Sequence, residues 1–140
     1  MAVHRMQVRV RFGELDPYNH VNHAVYLVYL EAGRVEALEW VGLALDRMSA
    51  EGWQVVVADL EVRFRASAVA GDILTVETAI TDVGAATTRW KQRILRGTQV
   101  LVEAQLRAGA TGLDGRPKRL SPSSVAVLRR LAEEAEEAEE

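Results

Sequence analysis

The chain of 140 residues contains no cysteine. Disulfide staples, a thiolate nucleophile and cysteine-ligated zinc are excluded together, and the lack is compatible with a reducing compartment. No run of about 18 uninterrupted apolar residues occurs, so no membrane-spanning helix is expected. The opening MAVHRMQVRVRF alternates and has no continuous apolar core, so no signal peptide is expected and the cytoplasm is the expected location. Also missing are a G-x-S-x-G elbow, a Walker loop and a G-x-G-x-x-G turn. Serine-hydrolase, nucleoside-triphosphate and dinucleotide chemistry lose their usual anchors with them. Strong basicity is lacking too. The net charge is −3, and the terminal EEAEEAEE (133–140) holds six glutamates, so the rest of the chain stands at +3. That body suits a small polyanionic ligand and is too weakly basic for nucleic acid.

What is present is a globular composition, 49% apolar, in a length that favours one domain with one core. In VHRMQVRVRF (3–12), Met6, Val8, Val10 and Phe12 alternate with Arg5, Gln7, Arg9 and Arg11, which predicts a half-buried strand. GELDPYN (13–19) is a loop. A helix is predicted over about 22–41, with Asn22 as N-cap. From Ala24 to Leu30 every residue is apolar or aromatic, so this helix must be surrounded by protein. Gly33 in its middle implies a neighbour too close for a Cβ. After a connector (42–52), strands are predicted over 53–66, 73–83, 85–96 and 99–111. On the first, Val56, Ala58, Leu60, Val62 and Phe64 share a face; on the second, Leu74, Val76 and Ile80. Short links make these neighbours antiparallel. Ser121 and Pro122 open a terminal helix with a solvated acidic end. One antiparallel sheet covers only one side of the central helix, so the other needs the connector, the terminal helix or another subunit, and a homodimer is expected.

Chemistry concentrates in LDPYNHVNHAVYLVYLE (15–31). The turn DPYN can fold Asp16 back over the helix N-terminus, where orphan amides and the positive dipole end favour a carboxylate. The same amides stabilise an oxyanion. A carboxylate plus backbone donors suffices to hydrolyse an activated acyl compound, and a thioester suits it because a thiolate departs without a strong acid. The plainer reading of Asp16 is a loop carboxylate in an Asx-turn. His20 and His23 invite a metal reading with Asp16 as third ligand, but His20 reads better as a hydrogen-bonder fixing the Asp16 turn. Tyr26 and Tyr29 read as core aromatics before catalysts. Arg63 and Arg65 share one strand face, and Arg89, Lys91 and Arg93 another. Each set is a solvated outer face or a phosphate-binding patch for a nucleotide-tailed carrier.

VRFGELDPYNHVNHAVYLVYLEAGRVEAL (10–38) resembles the opening of the 4-hydroxybenzoyl-CoA thioesterase-like branch of the hot-dog acyl thioesterases. That family's pattern is roughly Asp-x-x-Gly-His-Val-Asn-Asn-x-x-Tyr. Asp16, His20, Val21, Asn22 and Tyr26 match it, while Asn19 stands at the Gly and His23 at the second Asn. VRFRASAVAGDILTVET (62–78) and DGRPKRLSP (114–122) extend the likeness more weakly.

The resemblance implies an α+β hot-dog fold, a five-stranded antiparallel sheet wrapped around one long central helix. The domain would span 1–120, with a C-terminal helix and acidic end at 121–140. It implies an acyl-CoA thioesterase with Asp16 as nucleophile or general base and the His23 backbone amide polarising the carbonyl. His20 and Asn22 would support the turn, and Tyr26 and Val21 would contact substrate, joined by Arg63 and Arg65 if their strand face is the phosphate patch read above. It implies no metal and no cofactor. The substrate would be an acyl-CoA or acyl carrier protein thioester, and the protein a homodimer or homotetramer with interfacial sites. Asn also tolerates the left-handed backbone of the Gly it replaces. Two alternatives remain: an acyl-CoA hydratase or dehydratase using an Asp16/His20 dyad, and a non-catalytic acyl-CoA binding module.

Overall fold

The structure, a computed structural model, describes the backbone of residues 3–139 and the side chains of residues 3–132. The expected solvation of the acidic end falls on glutamate side chains outside the described residues. The elements are β1 (His4–Arg9), a 3-10 turn (Phe12–Glu14), α1 (His23–Trp40), α2 (Leu45–Ala50), β2 (Trp53–Phe64), β3 (Ile73–Val83), β4 (Thr87–Arg96), β5 (Gln99–Gly112) and α3 (Pro122–Glu139). The five strands form one antiparallel sheet in the order β1-β3-β4-β5-β2. The sheet lies against α1, as the apolar helix requires.

Local chemistry starts both long helices. The Asn22 side chain accepts from the Ala24 N–H (2.9 Å), satisfying one orphan donor of α1. Ser121 Oγ accepts from the Ser124 N–H (3.2 Å) at the start of α3, with Pro122 in the first turn. Tyr26, Tyr29, Leu30, Gly33, Ala37 and Leu38 turn toward the sheet and are buried. Gly33 marks the closest approach. A Cβ there would stand 2.7 Å from Val76 Cγ1 and 3.1 Å from Thr78 Oγ1. This contact separates two apolar clusters. One, at the helix N-terminus, holds Val21, Tyr26, Leu30, Ala68, Ile94 and Leu101. The other holds Leu38, Trp53 and Trp90 with Leu120 and Leu128, so the start of α3 closes the far end.

Two side-chain directions differ from the sequence pattern. Phe12 was expected to continue the inward row of β1, but it is 84% exposed. The strand stops at Arg9, and Glu14 then tightens the chain into the 3-10 turn by accepting from the Arg11 N–H and donating to the Arg11 carbonyl. On β2, Val56 and Ala58 do not share the face of Leu60, Val62 and Phe64. The register jumps between Val57 and Asp59, leaving Ala58 as a bulge. An extra residue reverses alternation. Trp53, Val55 and Val57 therefore face inward opposite Gly112, Ala110 and Ala108, and Val56 faces out.

The covered side of α1 is not its whole circumference. Leu27 and Val28 remain exposed. So do Val57, Leu60 and Phe64 on β2, which forms the longer of the two sheet edges. No helix among the described residues is long and apolar enough to cross a membrane.

Candidate active site

The segment between the 3-10 turn and α1 is fixed by backbone first. Asp16 N–H donates to the His20 carbonyl (2.7 Å), Asn19 N–H to the Asp16 carbonyl (3.0 Å), and Leu15 bridges Val21. This tight loop needs one left-handed residue, and Asn19 supplies it at φ +63°. Asn19 thus adopts the left-handed conformation that the Gly of the resembled pattern would adopt without strain.

Asp16 is held differently from the expectation. Its Oδ1 accepts from the N–H groups of Tyr18 (2.8 Å) and His20 (3.1 Å) rather than from amides of α1. The local donors are two and four residues away, and Asn22 already caps the helix, so the Asx-turn forms. It engages one oxygen only. Asp16 Oδ2 accepts no hydrogen bond among the described residues. His20 supports the turn through its backbone, not its imidazole, which is exposed and makes no hydrogen bond among the described residues.

At the helix end, Asn22 takes the Ala24 N–H on its side chain and the Val25 N–H on its carbonyl. The His23 N–H, first of α1, has no acceptor among the described residues. It is an oriented donor at the positive end of an 18-residue helix. The His23 ring packs against Phe64 of β2, with centroids 4.6 Å apart and the planes tilted by 49°, and Phe64 in turn meets Tyr26 at 5.7 Å.

Tyr26 and Val21, expected to touch substrate, are both 2% exposed and build the wall behind the site. Tyr26 Oη accepts from the Ala68 N–H (2.9 Å), and Val21 N–H donates to the Ala68 carbonyl (2.9 Å). Burial, slightly relieved by the Ala68 bond, raises the Tyr26 pKa above its ordinary value, so its hydroxyl stays neutral. Arg63 and Arg65 lie on the outer sheet face, opposite the side chain of Phe64, and pair with Glu61 (3.2 Å) and Glu103 (2.9 Å). Arg89 and Lys91 line an outer groove of about 450 Å³. None of these cations is at the Asp16 loop. Among the described residues no three His, Cys, Asp or Glu side chains gather to hold a metal ion.

Two further supports lie outside 15–31, the second within the weaker likeness at 62–78. Glu14 accepts from the Tyr29 hydroxyl (2.8 Å), tying the loop to α1. Asp72 holds the 66–72 loop by accepting from the Val69 N–H (3.0 Å) and Arg96 Nη1 (2.7 Å). The Val69 bond, then the Arg96 partner, keep the Asp72 carboxyl below its usual range against opposing desolvation. A depressed pKa contributes stability above the unfolded pKa, about 3.9, and loses it as pH falls through the folded value. Asp72→Asn is therefore expected to cost on the order of 1 kcal/mol at pH 7. In denaturant melts the gap to wild type closes as pH drops below about 4.

The family model described as the thioesterase-like superfamily matches residues 10–131. The chain belongs to this superfamily. The acyl-acyl carrier protein thioesterase ATL2 of Arabidopsis thaliana is 30% identical over 87% of the chain and 65% of its own length. A second Arabidopsis relative, ATL3, is spanned over only 44% of its length. The acyl-CoA thioesterase YbgC of Haemophilus influenzae is 31% identical over 76% of the chain and 79% of its own length. A crystal structure of the hypothetical protein TT1821 from Thermus thermophilus superposes with a TM-score of 0.86 at 31% identity, covering 91% of this chain and 98% of that one. The thioesterase hot-dog fold expected from 10–38 is thus the fold of this superfamily member.

Proposed function

We propose that the chain hydrolyses the thioester of an acyl-CoA or acyl-acyl carrier protein at the N-terminus of α1. The observations that carry this reading are that the loop leading into α1 engages only one Asp16 oxygen and that the His23 N–H, first of α1, has no acceptor among the described residues. The His23 N–H polarises the thioester carbonyl and receives the oxyanion. Asp16 serves one of two balanced steps that need the same free oxygen. As nucleophile it adds to the carbonyl carbon, expels the thiolate and forms an anhydride that water cleaves. As general base it takes a proton from the water that adds to that carbon, and the thiolate leaves. Both routes give a carboxylic acid and a thiol. Membership of the thioesterase-like superfamily supports this choice of substrate.

Arg63 and Arg65 would have to leave their carboxylates to bind phosphate, so this reading gives them no part in the reaction centre. A second copy of the chain is assigned to the uncovered flank, where Leu27 and Val28 of α1 and Val57, Leu60 and Phe64 of β2 stand exposed. A long apolar sheet edge is a template for pairing.

The Asp16/His20 dyad of a hydratase would need a carboxylate–imidazole contact, and the two residues meet only through the His20 backbone, whose N–H donates to Asp16 Oδ1. His20→Ala is therefore expected to reduce kcat/KM for thiol release less than about fivefold, an effect of about 1 kcal/mol. Asp16→Asn is expected to remove most of the rate. Equal losses in the two variants would favour the dyad and sink the thioesterase reading.

A further inference from the structure

Packing alone does not ask for a hydroxyl at Tyr29. The residue is 3% exposed in the apolar cluster at the N-terminal end of α1. A phenylalanine would fill the same space with no polar atom to satisfy. The Tyr29 hydroxyl donates to Glu14 Oε1 at 2.8 Å. Burial first, then the bond to Glu14 and its charge, raise the Tyr29 pKa above its ordinary value, so the group remains a donor. Glu14 is itself mostly covered, with its side chain 21% exposed and Arg11 Nε 3.9 Å away.

Glu14 is where the two branches of the Asp16 loop meet. Its Oε1 also accepts from the Arg11 N–H (2.8 Å), and its own N–H donates to the Arg11 carbonyl (3.0 Å), which closes the 3-10 turn. The loop leaves it through Leu15. It returns through Val21, which bridges Leu15, to Asn22, whose N–H donates to the Glu14 carbonyl (2.9 Å). Asn22 caps α1, and His23 follows. Tyr29 lies seven residues beyond Asn22, within about 20° of two full turns and about 10 Å further along the axis. Side chains on a helix lean back toward its N-terminus, which brings the hydroxyl up to Glu14. The returning branch has a second tether of the same kind. Val21 N–H donates to the Ala68 carbonyl, and Ala68 N–H donates to the Tyr26 hydroxyl (both 2.9 Å). Each branch is thus held to α1 through a buried phenol. The turn around Asp16 uses only the Tyr18 and His20 amides and needs neither phenol.

We propose that Tyr29 and Glu14 are positioning residues for thioester cleavage: their hydrogen bond fixes the Asp16 loop against the end of α1 and so sets where the carboxylate stands relative to the His23 N–H. This rests on the thioesterase reading above. Neither residue touches the substrate. Without the bond the Asp16 turn keeps its shape, but the branch that carries it is free to shift over the helix end. A displacement of about 1 Å between reacting groups costs up to about 10²-fold in rate. Binding of the rest of the acyl compound does not depend on the bond, so the loss falls on kcat and not on KM.

The test measures thiol release by wild type, Tyr29→Phe, Glu14→Ala and Glu14→Gln at a temperature where circular dichroism shows each folded. The substrate is whichever of octanoyl-CoA, palmitoyl-CoA, benzoyl-CoA and octanoyl-acyl carrier protein the wild type cleaves fastest. Tyr29→Phe is expected to lower kcat at least tenfold and to leave KM within about threefold. Glu14→Ala is expected to lose as much, and Glu14→Gln to recover most of it, because its amide oxygen accepts the same two bonds. In hydrogen exchange, the Asn22 N–H of Tyr29→Phe is expected to exchange at least tenfold faster while the amides of β4 and β5 keep their protection. A lower melting temperature with wild-type kcat in Tyr29→Phe makes the bond structural only and overturns the proposal. Glu14→Gln as slow as Glu14→Ala also overturns it, because charge at Glu14 and not the tether then sets the rate. Should Glu14→Ala not fold, Glu14→Gln as slow as Tyr29→Phe decides in the same sense. Unchanged exchange at Asn22 overturns it as well. In each of these cases the thioesterase reading stands. If wild type releases thiol from none of the four esters, the thioesterase reading falls and the proposal falls with it.

Discussion

Asp16→Asn is expected to lower kcat for thioester cleavage by about 10²–10⁴-fold, the range for loss of a general base or comparable proton-transfer group. The same substitution should barely move the melting temperature. The asparagine carbonyl can keep the two bonds that Oδ1 accepts from the Tyr18 and His20 amides. Only the second oxygen, which holds nothing in the loop, loses its charge. The combination of lost rate and retained stability separates this account from the one in which Asp16 merely makes an Asx-turn. If activity survives in Asp16→Asn, the carboxylate is a turn residue and the reaction centre lies elsewhere. If both rate and stability fall, the turn depends on charge in a way the geometry does not contain.

Gly33→Val is expected to destabilise the protein by about 2–4 kcal/mol. Helix propensity alone favours almost any residue over glycine, by up to about 1 kcal/mol. Packing opposes it. The first added carbon would stand 2.7 Å from Val76 Cγ1 and 3.1 Å from Thr78 Oγ1, and both residues are fully buried. Val76 is β-branched and stiff, so the clash is relieved only by lifting α1 off the sheet. That movement would also stretch the Gln92 bond to the Leu30 carbonyl. A two-state thermal melt should show a drop of roughly 6–15 °C. An unchanged or raised melting temperature would mean that α1 does not lie this close to β3.

Those two residues also show what can be read from the chain before its fold is known. Gly33 in an apolar helix signals a close neighbour, because nothing else justifies its cost. The N-caps at Asn22 and Ser121 are legible because their hydrogen bonds reach only two or three residues. The turn at Asn19 is legible for the same reason. The strands are legible from alternation, until a bulge intervenes. Ala58 reads as one more same-face residue in a run of β-formers, and the extra residue it contributes depends on how β5 pairs with β2. Its effect, the reversal of Val56 and Val57, is therefore decided by a partner some 50 residues away in sequence. Phe12 is the converse case, where a side-chain bond from Glu14 ends an alternation that would otherwise continue.

The candidate site divides along the same line. Asp16, His23 and the helix end are visible as a motif. The use of Asp16 Oδ1 by two loop amides is visible only as one of two readings, since the turn offers donors in both directions. Phe64 against His23 and Glu14 against Tyr29 join residues 41 and 15 positions apart. No local spacing rule connects such pairs. They depend on where the sheet lays its strands under α1.

The central claim is that water cleaves the bond between acyl carbon and sulfur. The direct measurement incubates wild type with a panel of short, long, aromatic and α,β-unsaturated acyl-CoAs. Free thiol is followed with a chromogenic disulfide, and the acyl product is weighed by mass spectrometry. The account predicts thiol and free carboxylic acid in equal amounts from at least one ester. An intact CoA ester heavier by one water would contradict it in favour of hydration, and esters that bind tightly but return unchanged would contradict it in favour of a binding module.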